Sequence, residues 1–401
     1  NYFHISPGKI AKGDFGRFGA RKVSFQVDYD EEFVEQLEAC AERKGIEAGT
    51  LGEKDSSLDH GVMVPLYFIN QYLESYQLVR VGLSGLPILD HYRLGRCITE
   101  TAQKLDRRIV FVASGDLSHK LKEDGPYGLA KEGAQFDREI TEAMKEGDFL
   151  KFLEFSPDFC EAAAECGHRS FVIMAGALSG MSVKPKLLSY EGPFGVGYAI
   201  CSYEIRGQDE NRHFDITFER IQREIALEKQ KHEDIYIKLA RLSLETYVTS
   251  GKNAKLPNNL PEEMRNQKAG VFVSLKKYGQ LRGCIGTISP VTDCIAKEIL
   301  RNAVSAGVED PRFPPVTEEE LMDIVYSVDV LKELEPIESM EELDVKRYGV
   351  IVSSGRKRGL LLPNLEGIDT VEQQVAIAKK KAGIYDNEPF AMERFEVVRH
   401  T

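Results

Sequence analysis

The chain is poor in the features that would place it in a membrane or on a nucleic acid. None of its apolar runs approaches the roughly 20 residues that a membrane-spanning helix needs. The first residues also lack the charged-then-apolar pattern of a secretory signal. Acidic residues outnumber basic ones, 64 to 52, and the formal net charge is −12. Since a general binder of nucleic-acid polymers uses Lys and Arg to neutralise phosphates, we expect neither a membrane nor a nucleic-acid polymer as a partner.

The seven cysteines lack the spacing of a known framework. None forms a Cys-x-x-Cys pair, so neither a zinc ribbon nor a thioredoxin-type site is indicated. An odd number is also poorly suited to a closed set of disulfides. We therefore expect reduced thiols and a cytoplasmic location.

The length of 401 residues exceeds that of most single cores and predicts two domains. Strands and helices alternate through the first half, with apolar strands expected at residues 78–83 and 109–113. This alternation predicts an α/β domain over residues 1–205, with an open, mainly parallel sheet and helices on both faces. Composition then becomes polar, and we expect a linker and helix over 206–228. A separate α+β domain is predicted for 229–401.

The most informative stretch is SGDLSH, residues 114–119, which directly follows the apolar run 109–113. Reactive groups collect at the carboxyl ends of strands in open α/β sheets. His119 in such a place can accept or donate a proton near neutral pH. The alternative is that His119 only caps a loop.

Two further polar clusters are candidates to meet this stretch in space. Asp59 and His60 stand before an apolar helix, whose positive N-terminal end favours a neutral imidazole that can bind a metal. Alternatively, Asp59 caps the helix and His60 is incidental. Glu165 and Cys166 supply a carboxylate and a thiol side by side, but adjacent side chains usually point apart, so we expect one of them at a given site. The alternative for Cys166 is a small buried hydrophobe.

The three clusters, with Pro65-Leu66 after the first and Ser170 after the third, resemble the motifs of the class III extradiol dioxygenase superfamily. They resemble those of its MEMO-type branch still more closely, over about residues 1–204. The resemblance implies non-haem iron(II), held by two histidines and a third ligand, with positions left open for substrate and O2. The position that matches the third ligand is Cys166, with Glu165 as the neighbouring alternative.

The same resemblance implies roles for the other polar residues. His119 matches an acid/base histidine, and His60 matches a second pocket histidine that would orient the substrate. We group Asp116 with these catalytic residues and assign Ser114 and Asp59 to substrate binding. The family's upstream His-Pro-Pro and Ser/Thr-Pro-His stretches do not occur in this sequence. We therefore expect that an N-terminal part of the domain is missing and that this chain alone holds an incomplete metal site.

The second half carries its own signature in LRGCIGT (281–287), DPRFPPV (310–316) and RGLLLP (358–363). These motifs resemble the AMMECR family over about residues 230–401. Gly283 and Gly286 flank Cys284 and permit the close approach of a ligand or backbone, while Arg282 and Arg312 are suited to bind an anion. We therefore predict that Cys284, Arg282 and Arg312 take part in substrate binding. The alternative is that Cys284 is buried in a strand and that Arg312 pairs with Asp310.

Together the motifs favour a non-haem iron(II)-dependent oxidoreductase that acts on an aromatic or nucleobase-derived small molecule. The order of the two domains resembles fused proteins of a system with a radical-SAM component, which implies such a partner. This chain itself lacks the Cys-x3-Cys-x2-Cys motif of a radical-SAM enzyme. Two alternatives stay open, a scaffold of the MEMO type that binds a peptide or ligand without turnover, and a zinc-dependent hydrolase. A homo-oligomer is also expected.

Overall fold

A computed structural model describes residues 2–52, 56–125, 127–365, 367–385 and 387–401. The chain divides into two compact units, Asn1–Phe218 and Glu219–Thr401. Among the described residues, no helix combines the length and the apolar character that crossing a membrane requires.

The first unit is a mixed α/β structure. Its helices are α1 (Glu31–Arg43), α2 (His60–Ile69), α3 (Ile88–Lys104), α4 (Lys131–Glu146), α5 (Phe149–Glu154), α6 (Pro157–Ala163) and α7 (His168–Ala177). Its strands are β1 (Phe3–His4), β2 (Ile10–Phe15), β3 (Ala20–Tyr29), β4 (Ala48–Gly49), β5 (Gln77–Leu78), β6 (Met181–Glu191) and β7 (Tyr198–Gln208). A further helix, α8 (Phe214–His232), runs from this unit into the second.

Parallel and antiparallel pairs both occur in the first unit. Strand β1 pairs with β4 and β3 pairs with β5 in parallel, while β2 pairs with β3 and β6 with β7 antiparallel. The predicted α/β class of this half is therefore confirmed, with parallel pairs present in two of its sheets. Helices α3 and α7 pack closely because Gly95 and Gly176 face the backbone of the opposite helix, where a Cβ atom would overlap it. This contact sets the position of the N-terminal end of α7.

The strand predicted for residues 109–113 does not form. No strand pairs with these residues in the described part of the chain, and Val110 is 89% exposed. Phe111 still packs against a hydrophobic cluster that includes Phe3 and Leu94. The strand expected at 78–83 is likewise reduced to β5 and an isolated bridge at Val81. An apolar run indicates burial, whereas a ladder also needs a partner strand that the run itself does not reveal.

The second unit is an α+β structure, as predicted. Its helices after α8 are α9 (Ile235–Ser250), α10 (Glu262–Asn266), α11 (Ile295–Val308) and α12 (Val371–Ala382). Its strands are β8 (Val271–Lys277), β9 (Gln280–Gly286), β10 (Ile324–Leu331), β11 (Glu335–Ile337), β12 (Gly349–Ser354), β13 (Lys357–Leu361), β14 (Ala391–Phe395) and β15 (Val397–His400).

Two antiparallel sheets organise these strands, in the orders β15-β10-β8-β9 and β11-β14-β12-β13. Val271, Val273 and Leu275 alternate along β8 and pack with α9 and α11 in one hydrophobic core. The residues between them on β8 face the other side of the sheet, since successive side chains of a strand point to opposite faces. Cys284, opposite Ser274 in the ladder, shares that other face.

Candidate metal centre

The loop 114–119 meets the turn before α7 at a close backbone contact. Gly115 has φ 154°, and a Cβ atom there would overlap the Cα of Gly167. A Cβ on Gly167 would in turn collide with the ring of Phe171. Because neither residue has a side chain, the two segments approach until the Cys166 N–H donates to the Asp116 carbonyl over 3.3 Å. Two of the clusters singled out in the sequence are thus brought together.

Three side chains of types that can bind a metal ion converge at this contact. The ligand atoms of Asp116, His119 and Cys166 all lie within 4.8 Å of one another. His119 Nε2 is 3.4 Å from Asp116 Oδ2 and 3.9 Å from Cys166 Sγ. The Asp116 N–H also donates to Cys166 Sγ over 3.2 Å. Burial raises the pKa of Cys166, and so does the negative charge of Asp116, while the backbone N–H bond from Asp116 opposes the rise.

Buried polar contacts hold the loop that carries His119. The Ser118 N–H donates to Asp137 Oδ1 over 2.8 Å, and the Ser118 hydroxyl donates to the Ala163 carbonyl over 2.8 Å. The Tyr190 hydroxyl donates to the other oxygen of Asp137. Burial raises the pKa of Asp137, while the bonds from Ser118 and Tyr190 lower it. Asp137 of α4 therefore fixes the backbone one residue before His119.

Two tyrosines flank the three ligands. The ring of Tyr127 stacks on the His119 imidazole, with centroids 5.3 Å apart and planes 20° from parallel. Tyr198, at the start of β7, interacts electrostatically with Asp116 and Cys166; burial and then these charges raise its pKa. The side chain of His119 is 17% exposed, that of Asp116 is 43% exposed, and Cys166 is exposed, so solvent reaches the group at Asp116 and Cys166.

Glu165 points into a different group from its neighbour Cys166. Its ligand atom lies within 4.8 Å of those of Cys160 and His168, and Glu165 Oε2 accepts the His168 N–H over 2.6 Å. His168 Nε2 donates to the Phe152 carbonyl over 2.6 Å, which leaves Nδ1 to accept from the Cys160 thiol at 3.6 Å. Burial lowers the pKa of His168 to about 4 and raises that of Glu165. These groups use one another as partners inside the protein.

The third predicted cluster is tied to the same loop. The Ser114 hydroxyl donates to the Gly61 carbonyl over 2.6 Å, so the start of α2 lies beside residues 114–119. Asp59 caps α2, since its Oδ1 accepts the Val62 N–H over 3.0 Å. The His60 ring contacts Phe18 edge-on at 5.7 Å between centroids. His60 is not in the three-ligand group, and its role in orienting a substrate stays a prediction.

An apolar groove of about 250 Å³ lies between α2 and the strands β2 and β3. Five side chains line it: Phe15, Val23, Val64, Tyr67 and Phe68. The Phe15 ring bridges Phe18 and Tyr67 at 6.4 Å to each centroid, so an aromatic row leads from His60 into the groove. A groove lined by aromatic side chains suits an aromatic ligand, because aromatic rings pack favourably on one another.

The geometry of Asp116, His119 and Cys166 suits a metal ion. Ligand atoms bound to one ion at about 2.0–2.3 Å lie roughly 3–3.7 Å from each other, which the observed 3.4 and 3.9 Å approach. An imidazole with a thiolate and a carboxylate accommodates iron or zinc. Three protein ligands also leave coordination positions open for other molecules. The residues therefore fit a metal.

In the second unit, the residues predicted to bind a substrate are Arg282, Arg312 and Cys284. They have different hydrogen-bond partners and different exposure. The Arg282 guanidinium binds both carboxylate oxygens of Glu320 and the carbonyls of Pro314 and Pro315. Burial alone would raise the pKa of Glu320, but the bonds from Arg282 and its other donors lower it to about 2. Arg282 is thus held in a largely buried ion pair, and its role in substrate binding stays a prediction.

Arg312 pairs with Asp310, as the alternative expectation held. Its Nε and terminal nitrogen donate to the two Asp310 oxygens over 2.9 and 2.7 Å. The bond from Arg312 lowers the pKa of Asp310 to about 2. Cys284 is half-buried rather than enclosed in the strand. Its part in binding a substrate also stays a prediction.

Several residues of the site escaped the sequence reasoning. Asp137 and Tyr190 lie in a helix and a strand whose patterns show only amphipathic character, and Tyr127 and Tyr198 lie in no motif. His168 was visible within the third cluster, but its partner Cys160 was not. An acidic residue on the apolar face of a helix is the signal that could have identified Asp137, because such residues are rarely buried without a partner.

Comparisons with known proteins agree with this architecture. Residues 3–201 match the family described as the catalytic LigB subunit of aromatic ring-opening dioxygenase, and residues 237–400 match the AMMECR1 family. A protein of Clostridium acetobutylicum is 46% identical over 408 residues, which cover 100% of this chain and 86% of that protein. A protein of Thermotoga maritima is 49% identical over 170 residues, 42% of this chain and 98% of that protein.

A crystal structure of an uncharacterized protein from Pyrococcus horikoshii is 33% identical, covers 42% of this chain and 89% of its own, and superposes with a TM-score of 0.39. The family matches confirm both resemblances predicted from the motifs. The Clostridium relative extends over the full length of the chain, across both matched regions. The chain therefore belongs to the family of proteins that join a domain of the LigB type, from aromatic ring-opening dioxygenases, to an AMMECR1 domain.

Proposed function

We propose that this protein is a non-haem iron(II)-dependent oxidoreductase of the dioxygenase type that acts on a small aromatic or nucleobase-derived molecule. The observation that carries the proposal is the convergence of Asp116, His119 and Cys166 within a domain that matches the LigB family. Bound there, iron would supply open coordination positions for the substrate and O2. Cys166 is the soft ligand, and Asp116 and His119 complete the group.

The protein residues around this group have distinct tasks in the proposal. Tyr127 holds the His119 ring by stacking on it, so that Nε2 faces Asp116 and Cys166. Asp137 keeps the loop in register through Ser118. The aromatic row from His60 into the groove along α2 receives the flat ring of the substrate.

The test is anaerobic reconstitution of the full chain with iron(II), followed by metal analysis and oxygen uptake with a series of catechols. We expect iron to bind and oxygen uptake to depend on the aromatic compound. Cys166→Ser should lower iron affinity by at least about tenfold, since even residues that only support a ligand have effects of that size. Cys201→Ser is the matched control, because Cys201 is a half-buried thiol on β7 outside the group.

The other outcomes separate the competing functions. If the site binds zinc and the protein hydrolyses esters or amides without taking up oxygen, the protein is a hydrolase and the proposal is wrong. Tight peptide binding without metal or turnover would favour the scaffold. A His119→Gln variant that keeps iron but loses turnover would assign His119 to proton transfer rather than to metal binding.

The proposal extends to a partner and a setting. We also propose that the protein cooperates with a radical-SAM enzyme in one cytoplasmic pathway, as the resemblance of the domain order to fused proteins of such a system implies. Co-purification of such an enzyme with the tagged full chain from its own host tests this, and its absence under anaerobic lysis would count against it. Self-association of the chain stays a prediction, measured by sedimentation.

A further inference from the structure

Basic side chains lie at the hairpin of β2 and β3, next to the apolar groove. Between residues 12 and 22 the sequence carries four cations and one carboxylate, in a chain whose net charge is −12. The cations, all exposed, are Lys12, Arg17, Arg21 and Lys22. None of their side chains forms an ion pair or a hydrogen bond with another residue of the described part of the chain. This local surface is therefore positive although the whole chain is acidic.

Two of these cations, both arginines, stand beside the aromatic wall of the groove. Ala20, which precedes Arg21, pairs with Phe15 between β2 and β3, and Phe15 lines the groove. The Arg21 side chain lies across Gly16, since a Cβ atom on Gly16 would be 3.2 Å from Arg21 Nε. Arg17 follows Gly16 in the same turn. A ligand in the groove therefore has two guanidinium groups at the Phe15 side.

Asp14 is the carboxylate of this stretch, and it binds a backbone group. Its Oδ1 accepts the Gly16 N–H over 2.6 Å. Among the described residues, no ion pair joins Asp14 to Arg17 or Arg21. Both arginines are therefore available to an anion that comes from outside the chain.

The groove and the cations offer a ligand two separate kinds of contact. Among the described residues, those that line the groove are aliphatic or aromatic, so the groove suits a ring and not an anion. A ligand that uses both features must hold its charge outside the groove, at a distance from its ring. A nucleotide has this form, because a sugar separates the base from the phosphate. An aromatic carboxylate, with the charge attached to the ring, does not.

The presence of two arginines favours a phosphate over a carboxylate. One guanidinium group can bind a carboxylate through two parallel hydrogen bonds. A phosphate monoester carries nearly two negative charges at neutral pH and has three strong acceptor oxygens. It can therefore bind both guanidinium groups at once.

We propose that the groove along α2, together with Arg17 and Arg21, binds a nucleoside monophosphate. The base packs on the rings of Phe15, Tyr67 and Phe68, and the phosphate accepts hydrogen bonds from the two guanidinium groups. This site rests on the proposed function in one respect, because the ligand of the groove is taken to be the substrate of the metal group. It narrows that substrate to the nucleobase-derived class.

The test measures binding to the full chain, freed of metal with EDTA, by isothermal titration calorimetry. The monophosphates of adenosine, guanosine, cytidine and uridine are compared with their nucleosides, with inorganic phosphate and with benzoate. We expect at least one monophosphate to bind about tenfold more tightly than its nucleoside, phosphate or benzoate, since hydrogen bonds to ionised groups are the stronger ones. The proposal is overturned if no monophosphate binds more tightly than its nucleoside, or if phosphate or benzoate binds as tightly.

Three variants identify the groups that bind. Arg21→Gln should weaken the binding of the monophosphate about tenfold and leave that of the nucleoside unchanged. Lys22→Gln is the matched control, because alternation along β3 directs Lys22 to the face opposite Val23 of the groove. Phe68→Ala, at an exposed ring of the groove, should weaken monophosphate and nucleoside alike. Equal effects of Arg21→Gln and Lys22→Gln, in variants with unchanged circular dichroism, contradict the role of Arg21.

Separate measurements distinguish this site from the proposed function. Nucleotide binding is measured without metal, whereas oxygen uptake is measured with iron(II). A chain that takes up oxygen with catechols but binds no nucleotide supports the oxidoreductase and contradicts this site. A chain that binds a nucleotide through Arg21 but takes up no oxygen supports this site and contradicts the oxidoreductase.

Discussion

At the scale of single residues, buried acids organise the backbone at two of the predicted site residues. Asp137 holds the loop of His119, and Asp310 holds the strand of Cys284. In each case a carboxylate accepts a backbone N–H, from the residue before His119 and from Cys284 itself. Because a buried carboxylate without donors is costly, such a residue stabilises one arrangement of the loop or strand around it.

Asp310→Asn should lower the local stability of the second unit at neutral pH. The pKa of Asp310 falls from 3.8 to about 2 in the folded state, which corresponds to about 2 kcal/mol. Since the folded pKa is depressed, this stability is present above pH 4 and is lost as the pH falls towards 2. Hydrogen exchange of β8 and β9, measured by mass spectrometry between pH 7 and 3, follows the effect.

Asp293→Asn is the matched control for this prediction. Asp293 forms an exposed ion pair with Lys297, and exposed pairs contribute little to stability. Equal effects of the two substitutions at pH 7, or a difference that does not shrink in acid, would contradict the role given to Asp310.

At the scale of elements, the packing of α3 on α7 determines where Cys166 lies. Gly95 and Gly176 let the two helix backbones touch, and α7 begins two residues after Cys166. The position of this candidate metal ligand therefore depends on a helix contact formed at two glycines. The loop 114–119 reaches the same place through Gly115 and Gly167.

Gly176→Ala should destabilise the first unit by about 3 kcal/mol, because its Cβ would overlap the Tyr92 backbone and force the helices apart. We also expect weaker iron binding in this variant, since the start of α7 would move. Thermal unfolding followed by circular dichroism, together with iron titration, measures both effects. Gln103→Ala, at an exposed position of α3, should leave both the thermal stability and the iron binding unchanged. A Gly176→Ala variant with unchanged stability would contradict the role given to the contact between the two helices.

At the scale of the whole molecule, the acidic character predicts that nucleic-acid polymers do not bind this chain. With a net charge of −12, the chain should not bind a 20-base-pair DNA duplex at protein concentrations up to about 100 µM, the range in which non-specific basic binders saturate. Fluorescence anisotropy of a labelled duplex at physiological salt measures this. Binding that weakens steeply with added salt would reveal a basic surface that the total charge conceals.

Local patterns in the sequence were sufficient to predict most of the helices and strands and to identify the family. The alternation of Ile324–Leu331 predicts a strand over those residues, which β10 matches. The turn residues 276–279 predict the hairpin of β8 and β9, and the helical pattern from Thr370 predicts α12, which begins at Val371. Periodicity and turn chemistry act between residues close in the chain, so they can be read without coordinates. The motifs around His119 and Cys284 identified both domains for the same reason.

Only the tertiary structure decided which residues share a site. Among the described residues, it left 109–113 without a ladder partner. It also separated Glu165, beside Cys160 and His168, from Cys166, beside Asp116 and His119. Adjacent side chains point apart, but the direction of each depends on contacts with segments some fifty residues away. Such contacts arise from packing and close backbone approach between distant segments. No local pattern in the chain encodes them.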